Sequence, residues 1–143
     1  MSEIRVREAR ADDAPTLVSL IIDLGHPIEE ADVLRNLETL TLSGLLPLVA
    51  TDGDRVIGMC GISAMVTVHR PAPVGRVSVM IVDEAYRGRG VGALLVAEAE
   101  RRLAERGCKI VEVTSNMRRE RAHQFYEKLG YGRTSFRFMK RLD

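Results

Sequence analysis

The stretch VDEAYRGRGVG, Val82 to Gly92, decides how the surrounding sequence folds, because it joins a strand to a helix through a glycine-rich turn. Three glycines and two arginines fall within six consecutive positions, Arg87 to Gly92. The preceding run RVSVMIVD, Arg76 to Asp83, is apolar enough to predict a central strand. Apolar residues then recur at every fourth position from Val91 to Leu103, which predicts an amphipathic helix that ends near Gly107.

A helix that begins directly after a glycine turn is suited to hold an anion. Its first N–H groups point toward one spot, and the helix dipole adds partial positive charge there. Glycine lets an oxyanion reach the amides without a Cβ in the way, and Arg87 and Arg89 can add charge-assisted hydrogen bonds. The turn therefore predicts a phosphate or pyrophosphate site, although a plain turn with a helix cap has the same pattern. It is not a P-loop, because no Gly-Lys-Ser/Thr follows.

The remaining sequence predicts a mixed sheet with helices on its faces. Strands are predicted at residues 4–9, 46–50, 56–68, 76–83, 109–115 and 135–141, and helices at 13–24, 27–43, 91–106 and 122–129. The two strands that flank the third helix need a crossover connection and so pair in parallel, whereas the two strands around residues 52–54 form an antiparallel hairpin. Gly58 and Gly61 predict a bulge or a close backbone approach. The fold class is α/β (α+β), with one domain over residues 1–143.

Composition excludes several classes of function. The 143 residues carry 21 Lys and Arg against 20 Asp and Glu, a net charge of +1, which disfavours binding along nucleic acid. No apolar run is long enough to span a membrane, and Met1 to Glu3 do not begin a secretion signal, so a cytoplasmic protein is expected. Cys60 and Cys108 lie in apolar stretches without metal-ligand spacing, which predicts buried, reduced thiols and no metal.

Two segments resemble the GNAT superfamily of N-acetyltransferases, in particular its small single-domain bacterial members. RGRGVG, after the strand VSVMIV, is similar to the family's acyl-CoA signature R/Q-x-x-G-x-G/A, and Arg87, Gly90 and Gly92 fill the fixed positions. EVTSNMRRERAHQFYEKLGY is similar to the last conserved block of the family. Its matching residues are Asn116, Ala122, Phe125, Tyr126, Leu129 and Gly130. The order of predicted elements matches over nearly the whole chain, which implies a mostly antiparallel sheet with a splayed parallel strand pair in its centre.

The resemblance implies that acetyl-CoA is the donor and lies between the two splayed strands. Its pantetheine arm would contact the backbone of Ile81 and Val82, and Asn116 would contact the CoA arm. Arg119 or its neighbour Arg118 would reach a CoA phosphate. The pyrophosphate would sit on the turn residues Arg87, Gly88, Arg89, Gly90, Val91 and Gly92.

The resemblance further implies that a substrate amine attacks the thioester directly, without an acyl-enzyme, and that Tyr126 lies near the departing sulfur. An unperturbed tyrosine titrates near ~10 and a thiol near ~8.5, so full proton transfer to the thiolate is uphill by about 2 kcal/mol and a hydrogen bond suffices. Tyr126 also lies on the apolar stripe of its helix, where core packing is the alternative role. Glu84 is the first candidate for a general base. The other candidates, none supported by a motif, are Asp83, Glu112, His26 and His69.

The predicted activity is therefore transfer of an acetyl group from acetyl-CoA to an amine of a small molecule or peptide. Transfer of a longer acyl group and non-catalytic sensing of acyl-CoA use the same motifs. The acceptor would be shaped by the first two helices, the hairpin and the HRPAPVG loop, residues 69–75, where no motif identifies it. A homodimer is common in the family and is a further expectation.

Overall fold

Five strands and four α-helices follow one another in the predicted order. In the computed structural model, which describes residues 3–143, the strands are β1 (Ile4–Glu8), β2 (Leu48–Asp52), β3 (Arg55–Met65), β4 (Val74–Val82) and β5 (Ile110–Val113). The helices are α1 (Ala14–Leu24), α2 (Glu30–Ser43), α3 (Val91–Glu105) and α4 (Glu120–Lys128). Met1 and Ser2, which entered the argument against secretion, lie outside the described residues.

The strands form one sheet in the order β1-β2-β3-β4-β5. Neighbours from β1 to β4 are antiparallel, and β4 and β5 form the parallel pair. The parallel pairing is short, because it joins Val74–Val77 to Ile110–Val113 and then stops. The mixed sheet and its one parallel pair are therefore confirmed, although within residues 3–143 this pair lies at the β5 end of the sheet and not in its centre.

Each face of the sheet buries its own core. One face packs Ile57, Cys60 and Val77 against the apolar stripe of α3, which is fully buried at Leu95 and Leu103. The opposite face is covered by α1 and α2. Its buried residues include Leu17, Leu20, Val33, Leu37, Val49, Val56, Met59 and Ile81. Alternation along the strands thus sends successive side chains to the α3 face and to the α1/α2 face.

The helix boundaries follow from local sequence signals. Gly25 (φ 106°) and Gly44 (φ 78°) end α1 and α2 in the left-handed conformation, as predicted. Before α1, Asp13 is only 7% exposed and accepts hydrogen bonds from both terminal nitrogens of Arg7, at 2.8 and 2.9 Å, and from the Arg10 N–H at 2.7 Å. Within residues 3–143, no helix is both long and apolar enough to cross a bilayer.

The strand predicted at 135–141 is wrong, because residues 131–143 have no regular secondary structure. Alternation of Phe136, Arg137 and Phe138 does favour a strand. A strand forms, however, only where its backbone N–H and C=O groups pair with a neighbour. Within the described part of this chain the segment pairs with no strand, and its side chains from Gly132 onward are exposed.

Candidate active site

The pairing of β4 with β5 ends at Val77 and Val113, where β5 itself ends, so the rest of β4 has an open edge on that side. We call the space beside this open edge the gap. The register between β3 and β4 shifts after Gly61, which pairs with Val79 while Ile62 pairs with Val77, so Ser78 is an extra residue in β4. A Cβ on Gly61 would lie 2.6 Å from the Ser78 Oγ and 3.0 Å from a Val79 methyl, so a larger residue there would force these side chains to move. Beyond Val77, β4 keeps β3 on one side and has no strand on the other.

The hydrogen-bonding pattern decides which backbone groups face this gap. The Asp83 N–H donates to the Ile57 carbonyl at 2.7 Å. Because bonded and non-bonded pairs alternate in an antiparallel ladder, Ile81 and its partner Met59 are also a bonded pair. The N–H and C=O groups of Met80 and Val82 therefore point away from β3 and into the gap. The predicted contact of Ile81 with the pantetheine arm stays a prediction, and strand parity adds Met80 as a residue whose backbone faces the gap.

The glycine turn at the open end of the gap leaves the start of α3 uncapped. Gly88 and Gly90 have φ values of 79° and 80°, a conformation that residues with a Cβ rarely adopt. No heavy atom lies within 4 Å of a Cβ built at either glycine, so the space above them is open. The Leu94 N–H donates to the Gly90 carbonyl at 3.1 Å, and no side chain caps the helix. The preceding amides of α3 are therefore available to an anion.

The two arginines of the turn are held along its outer surface. Arg87 Nε donates to the Val82 carbonyl at 3.2 Å. The Arg89 guanidinium lies 5.2 Å from the ring centre of Tyr86, whose hydroxyl donates to Asp52 Oδ2 at 2.6 Å. Tyr86 thus links the turn to the β2–β3 hairpin and positions both the turn and Arg89, a role that sequence reasoning missed. Both arginines are exposed beside the uncapped amides.

Gly92 has a packing role in addition to the predicted anion contact. A Cβ at this position would lie 3.1 Å from Phe125 Cζ and 3.3 Å from Met80 Cε. The absence of a side chain lets α4 approach the first turn of α3 and brings the Phe125 ring against β4.

Tyr126 is buried on the α3 face, as its stripe position predicts, and has a free hydroxyl. Its side chain is 9% exposed and packs edge-on against Phe125 and Tyr131, with ring centres 5.1 and 5.8 Å away. Burial, with a smaller contribution from Cys60, raises the Tyr126 pKa to about 12. Cys60 itself pairs with Met80 in the sheet. Among residues 3–143, its hydroxyl has no hydrogen-bond partner, whereas Tyr131 donates to Glu100 at 2.7 Å.

Asn116 and Arg119 take part in local structure where α4 begins. Asn116 Oδ1 accepts a hydrogen bond from the Arg118 N–H at 3.0 Å, and its carbonyl accepts one from His123 Nε2 at 2.8 Å. Arg119 Nη2 donates to the Leu24 carbonyl at 3.3 Å and so ties the start of α4 to the end of α1. The predicted contacts of Asn116 and Arg119 with CoA remain predictions.

The carboxylates considered as bases lie at different ends of the gap. Glu84 is exposed in a short 3-10 turn, seven positions past Val77 and directly before the glycine turn. At ~3.3 Å per strand residue, the end of β4 that precedes Glu84 lies roughly 17 Å from Val77, and the role of Glu84 as a base stays a prediction. Asp83 caps the same turn by accepting the Ala85 N–H at 2.9 Å. Glu112 lies one residue before the separation and pairs with Arg76 at 3.0 Å.

The remaining titratable candidates divide into exposed histidines and buried thiols. His26 and His69 are exposed in the loops at residues 25–29 and 66–73. Cys60 and Cys108 are buried and unpaired, as predicted. Burial raises the Cys60 pKa to about 12, which keeps this thiol protonated at neutral pH. No cluster of three His, Cys, Asp or Glu side chains that could hold a metal occurs in the described part of the chain.

Known proteins match the chain over nearly its whole length. The family model for the acetyltransferase (GNAT) family matches residues 7–131. An aminoalkylphosphonate N-acetyltransferase of Salmonella typhimurium is 28% identical in an alignment 146 positions long, which covers 99% of this chain and 94% of that protein. A solved GNAT family acetyltransferase of Staphylococcus aureus superposes with a TM-score of 0.80 at 25% identity, over 99% and 100% of the two chains. An aminoglycoside N-acetyltransferase in complex with CoA has the same fold, with a TM-score of 0.85 at 21% identity over 99% and 95%.

Proposed function

The chain belongs to the acetyltransferase (GNAT) family, and on that premise we propose that it transfers the acetyl group of acetyl-CoA directly to a small amine within a ternary complex. It is an acyltransferase with the GNAT fold. The observation that carries the proposal is the separation of β4 from β5, with uncapped α3 amides at its open end. This arrangement offers a phosphate site and a backbone edge along one continuous path.

The residues of the path fit CoA from end to end. Open space above Gly88 and Gly90 leaves room for a pyrophosphate against the α3 amides, with Arg87 and Arg89 beside it. The gap-facing backbone of Met80 and Val82 can pair with the amides of pantetheine as an added strand would. The five residue-to-residue steps from Val77 to Val82 span roughly 17 Å, so in this proposal the phosphates and the thioester occupy opposite ends of the gap.

Bound acetyl-CoA supplies the activated acyl group, and the chain supplies position and hydrogen bonds. The Met80 N–H donates to the thioester oxygen as negative charge develops on it. The acceptor nitrogen forms the C–N bond while the C–S bond breaks, and the nitrogen loses one proton as the sulfur gains one. A covalent acyl-enzyme is not part of the proposal, because Cys60 is buried with a pKa of about 12.

Tyr126 stabilises the departing thiolate as a hydrogen-bond donor. With its pKa raised to about 12, complete proton transfer to a CoA thiol of pKa near ~8.5 is uphill by about 5 kcal/mol. Donation of a hydrogen bond requires no such transfer, and charge-assisted bonds of this kind are worth about 1.5–3 kcal/mol. The free hydroxyl of Tyr126 is therefore suited to this role, and the proton that finally reaches sulfur comes from the amine.

The acceptor amine approaches from the α1/α2 face in this proposal. Of the carboxylates considered, Glu112 lies nearest to the point where the strands separate, and its strand position directs it to that face, opposite Val111 and Val113. In this proposal the Glu112 carboxylate, which also pairs with Arg76, orients the ammonium or accepts its proton through water. Glu112 therefore replaces Glu84 as the candidate that contacts the acceptor.

An aminoalkylphosphonate is the acceptor class to test first. The support is the Salmonella relative of that name, which aligns over 99% of this chain. The cationic side chains Arg118 and Arg119 at the start of α4 supply positive charge for an acidic acceptor, and Arg119 reaches the end of α1. A polycationic acceptor would be repelled by the same charges.

The decisive experiment compares Gly90→Asp with Gly90→Asn in binding of CoA by calorimetry. Both variants carry the same strain at a φ of 80° and enter the same open space, and they differ only in charge. If the pyrophosphate lies on the α3 amides, Gly90→Asp binds CoA at least fivefold more weakly than Gly90→Asn, because its carboxylate faces the phosphates. Equal affinities would reject the assignment of this turn.

Thiol release from acetyl-CoA then tests the reaction itself. The wild-type protein is assayed with an aminoalkylphosphonate, a free amino acid, a peptide α-amine and an aminoglycoside. We expect release with the first acceptor, and butyryl-CoA in place of acetyl-CoA tests the length of the acyl group. Binding of CoA without release by any acceptor would replace the transferase proposal with that of an acyl-CoA sensor.

A further inference from the structure

The sheet face that α1 and α2 cover carries a group of polar side chains toward β5. Beneath the helices this face is apolar, as buried Met59 and Ile81 show. Strand alternation places five half-buried or exposed polar residues on the same face nearer to β5. We name them the polar floor: Ser63, Arg76, Ser78, Glu112 and Thr114. Because the helices do not bury this part of the face, a small molecule can reach it.

Cross-strand neighbours show that the polar floor is one continuous surface. Ser63 lies opposite Arg76 in the pairing of β3 with β4, and Arg76 lies opposite Glu112 in the pairing of β4 with β5. A Cβ on Gly61, two residues before Ser63, would meet the Ser78 Oγ at 2.6 Å, which places Ser78 on the same face. The polar floor therefore borders the start of the gap, where the proposed path of CoA has its thioester.

Arg76 is the cation of the polar floor, and it keeps donors for a ligand. Its Nη1 donates to Glu112 Oε1 at 3.0 Å, and its Nη2 donates to the Thr114 Oγ1 at 2.7 Å. A guanidinium has five N–H groups, and within residues 3–143 these contacts use two of them. The Arg76 side chain is 30% exposed and that of Glu112 is 45% exposed. The pair is thus fixed on the sheet and still accessible.

The two charges of this pair lie side by side, at 3.0 Å, and so define a complementary ligand. A molecule with an ammonium and an acid group close together can lie antiparallel to the pair. Its ammonium then contacts Glu112 while its acid group contacts Arg76, and the pair itself does not have to break. About one or two carbon atoms between the nitrogen and the acid group match a spacing of a few ångström.

We propose that Arg76 binds the acid group of the acceptor and so selects short amines that end in a phosphonate or a carboxylate. The proposal rests on the proposed acetyl transfer, and it adds the residue that recognises the tail of the acceptor. The guanidinium presents its N–H groups as a planar fork, which suits the oxygens of either acid group. Glu112 holds the amine end, so the two residues together place the nitrogen at the thioester.

The test compares Arg76→Gln with the wild type on acceptors that have different tails. 2-Aminoethylphosphonate and β-alanine carry an acid group, whereas propylamine carries none. Arg76→Gln should lower kcat/KM for both acid-tailed acceptors by roughly tenfold or more, mainly through the KM of the acceptor. It should leave kcat/KM for propylamine within about threefold, because Glu112 stays in place for the ammonium. Each ratio is taken on one acceptor, so differences in amine pKa cancel.

Arg5→Gln is the matched control, since Arg5 also pairs with a glutamate, Glu3 at 3.2 Å, but lies on β1 at the opposite edge of the sheet. It should leave all three acceptors unchanged. Arg76→Lys keeps the charge without the fork and should recover part of the loss. The KM for acetyl-CoA should stay within about twofold in every variant, which separates lost acceptor binding from a distorted gap.

Aminoalkylphosphonates with one to four carbon atoms test the spacing, and the loss on Arg76→Gln should shrink as the chain lengthens. Equal losses at every length, or for propylamine as well, would overturn the proposal. So would a selective loss in Arg118→Gln that Arg76→Gln does not show.

Calorimetry of 2-aminoethylphosphonate with the CoA-bound protein separates this proposal from that of the reaction. Binding that Arg76→Gln weakens, without thiol release from acetyl-CoA, would reject the transferase and keep the role of Arg76. Thiol release that Arg76→Gln leaves intact for all acceptors would keep the transferase and reject the role of Arg76. If the wild type neither binds nor acetylates an acid-tailed amine, the role of Arg76 is likewise rejected.

Discussion

Removal of the Tyr126 hydroxyl is the sharpest probe of the chemistry, because that group makes no hydrogen bond within residues 3–143. Tyr126→Phe deletes one oxygen from a side chain that is 9% exposed and keeps the ring contacts with Phe125 and Tyr131. The hydroxyl makes no hydrogen bond within residues 3–143 and is not among the buried atoms that lack a partner, so its deletion removes no intramolecular bond. We therefore expect the free energy of unfolding to stay within about 1 kcal/mol of the wild-type value.

Turnover should respond quite differently. A hydrogen bond to the departing thiolate is worth about 1.5–3 kcal/mol, which corresponds to a fall in kcat of roughly 10- to 150-fold. Because the hydroxyl acts where charge develops on sulfur, the KM for acetyl-CoA should change by less than about threefold. The measurement is initial-rate thiol release at saturating acceptor, with urea unfolding of the same preparations.

Tyr131→Phe is the matched control. Its hydroxyl donates to Glu100 at 2.7 Å, so its loss should cost about 1–2 kcal/mol of stability and leave kcat within about twofold. The reasoning fails if Tyr126→Phe retains wild-type turnover. It also fails if Tyr126→Phe is destabilised as much as Tyr131→Phe, because the Tyr126 hydroxyl would then have a structural partner.

Three further predictions concern packing, charge and thiol reactivity. Gly92→Val should lower stability by about 1–3 kcal/mol in thermal unfolding, because a Cβ at this position already lies 3.1 Å from Phe125 Cζ and valine adds two methyl groups. Gly92→Ala should lower stability by less than about 1 kcal/mol. Burial raises the Asp13 pKa, but the hydrogen bonds from Arg7 and Arg10 outweigh burial and lower this pKa below its usual value. The ionised Asp13 carboxylate therefore stabilises the fold at pH values above the pKa of the unfolded chain, ~3.9. This stabilisation is lost as the pH falls through the lower pKa of the folded protein. Asp13→Asn should thus cost about 2–3 kcal/mol in urea at pH 7 and progressively less below pH ~4. Cys60 should resist a disulfide reagent for hours in the native protein and react in denaturant, since it is buried with a pKa of about 12; rapid native labelling would contradict its placement.

The sequence predicts the order of elements well because each signal is local. The glycines after α1 and α2 end those helices in the left-handed conformation, as Gly25 and Gly44 show. The glycine turn before α3 is likewise a local feature, and the open space at Gly90 needs no distant contact. Burial of Tyr126 follows from its position on the apolar stripe of α4.

Features that depend on strand pairing were beyond the sequence. The hydrogen bond from the Asp83 N–H to the Ile57 carbonyl shows which β4 residues bond to β3. From this alternation it follows that the backbone of Met80, and not that of Ile81, faces the gap. The Ser78 bulge lies next to the last residue of β4 that pairs with β5, and its position has no composition signal of its own, although Gly61 opposite it does. Phe136 and its neighbours show a strand pattern, but a pattern does not name the partner strand.

The pH dependence of the proposed reaction should be set by the acceptor amine, which must lose a proton for the reaction to proceed. Tyr126 and Cys60 both keep their protons far above neutral pH, with pKa values of about 12, so neither titrates in the working range. The acceptor must lose a proton, and at pH 7 that costs about 4–5 kcal/mol for an alkylamine of pKa near ~10.4 but only about 1–1.5 kcal/mol for one near ~8. The rise of kcat/KM with pH should therefore follow the pKa of each acceptor and move with it across a series of amines. An inflection at one pH for all acceptors would instead require a titrating base on the protein, and Glu112→Gln would then be expected to abolish it.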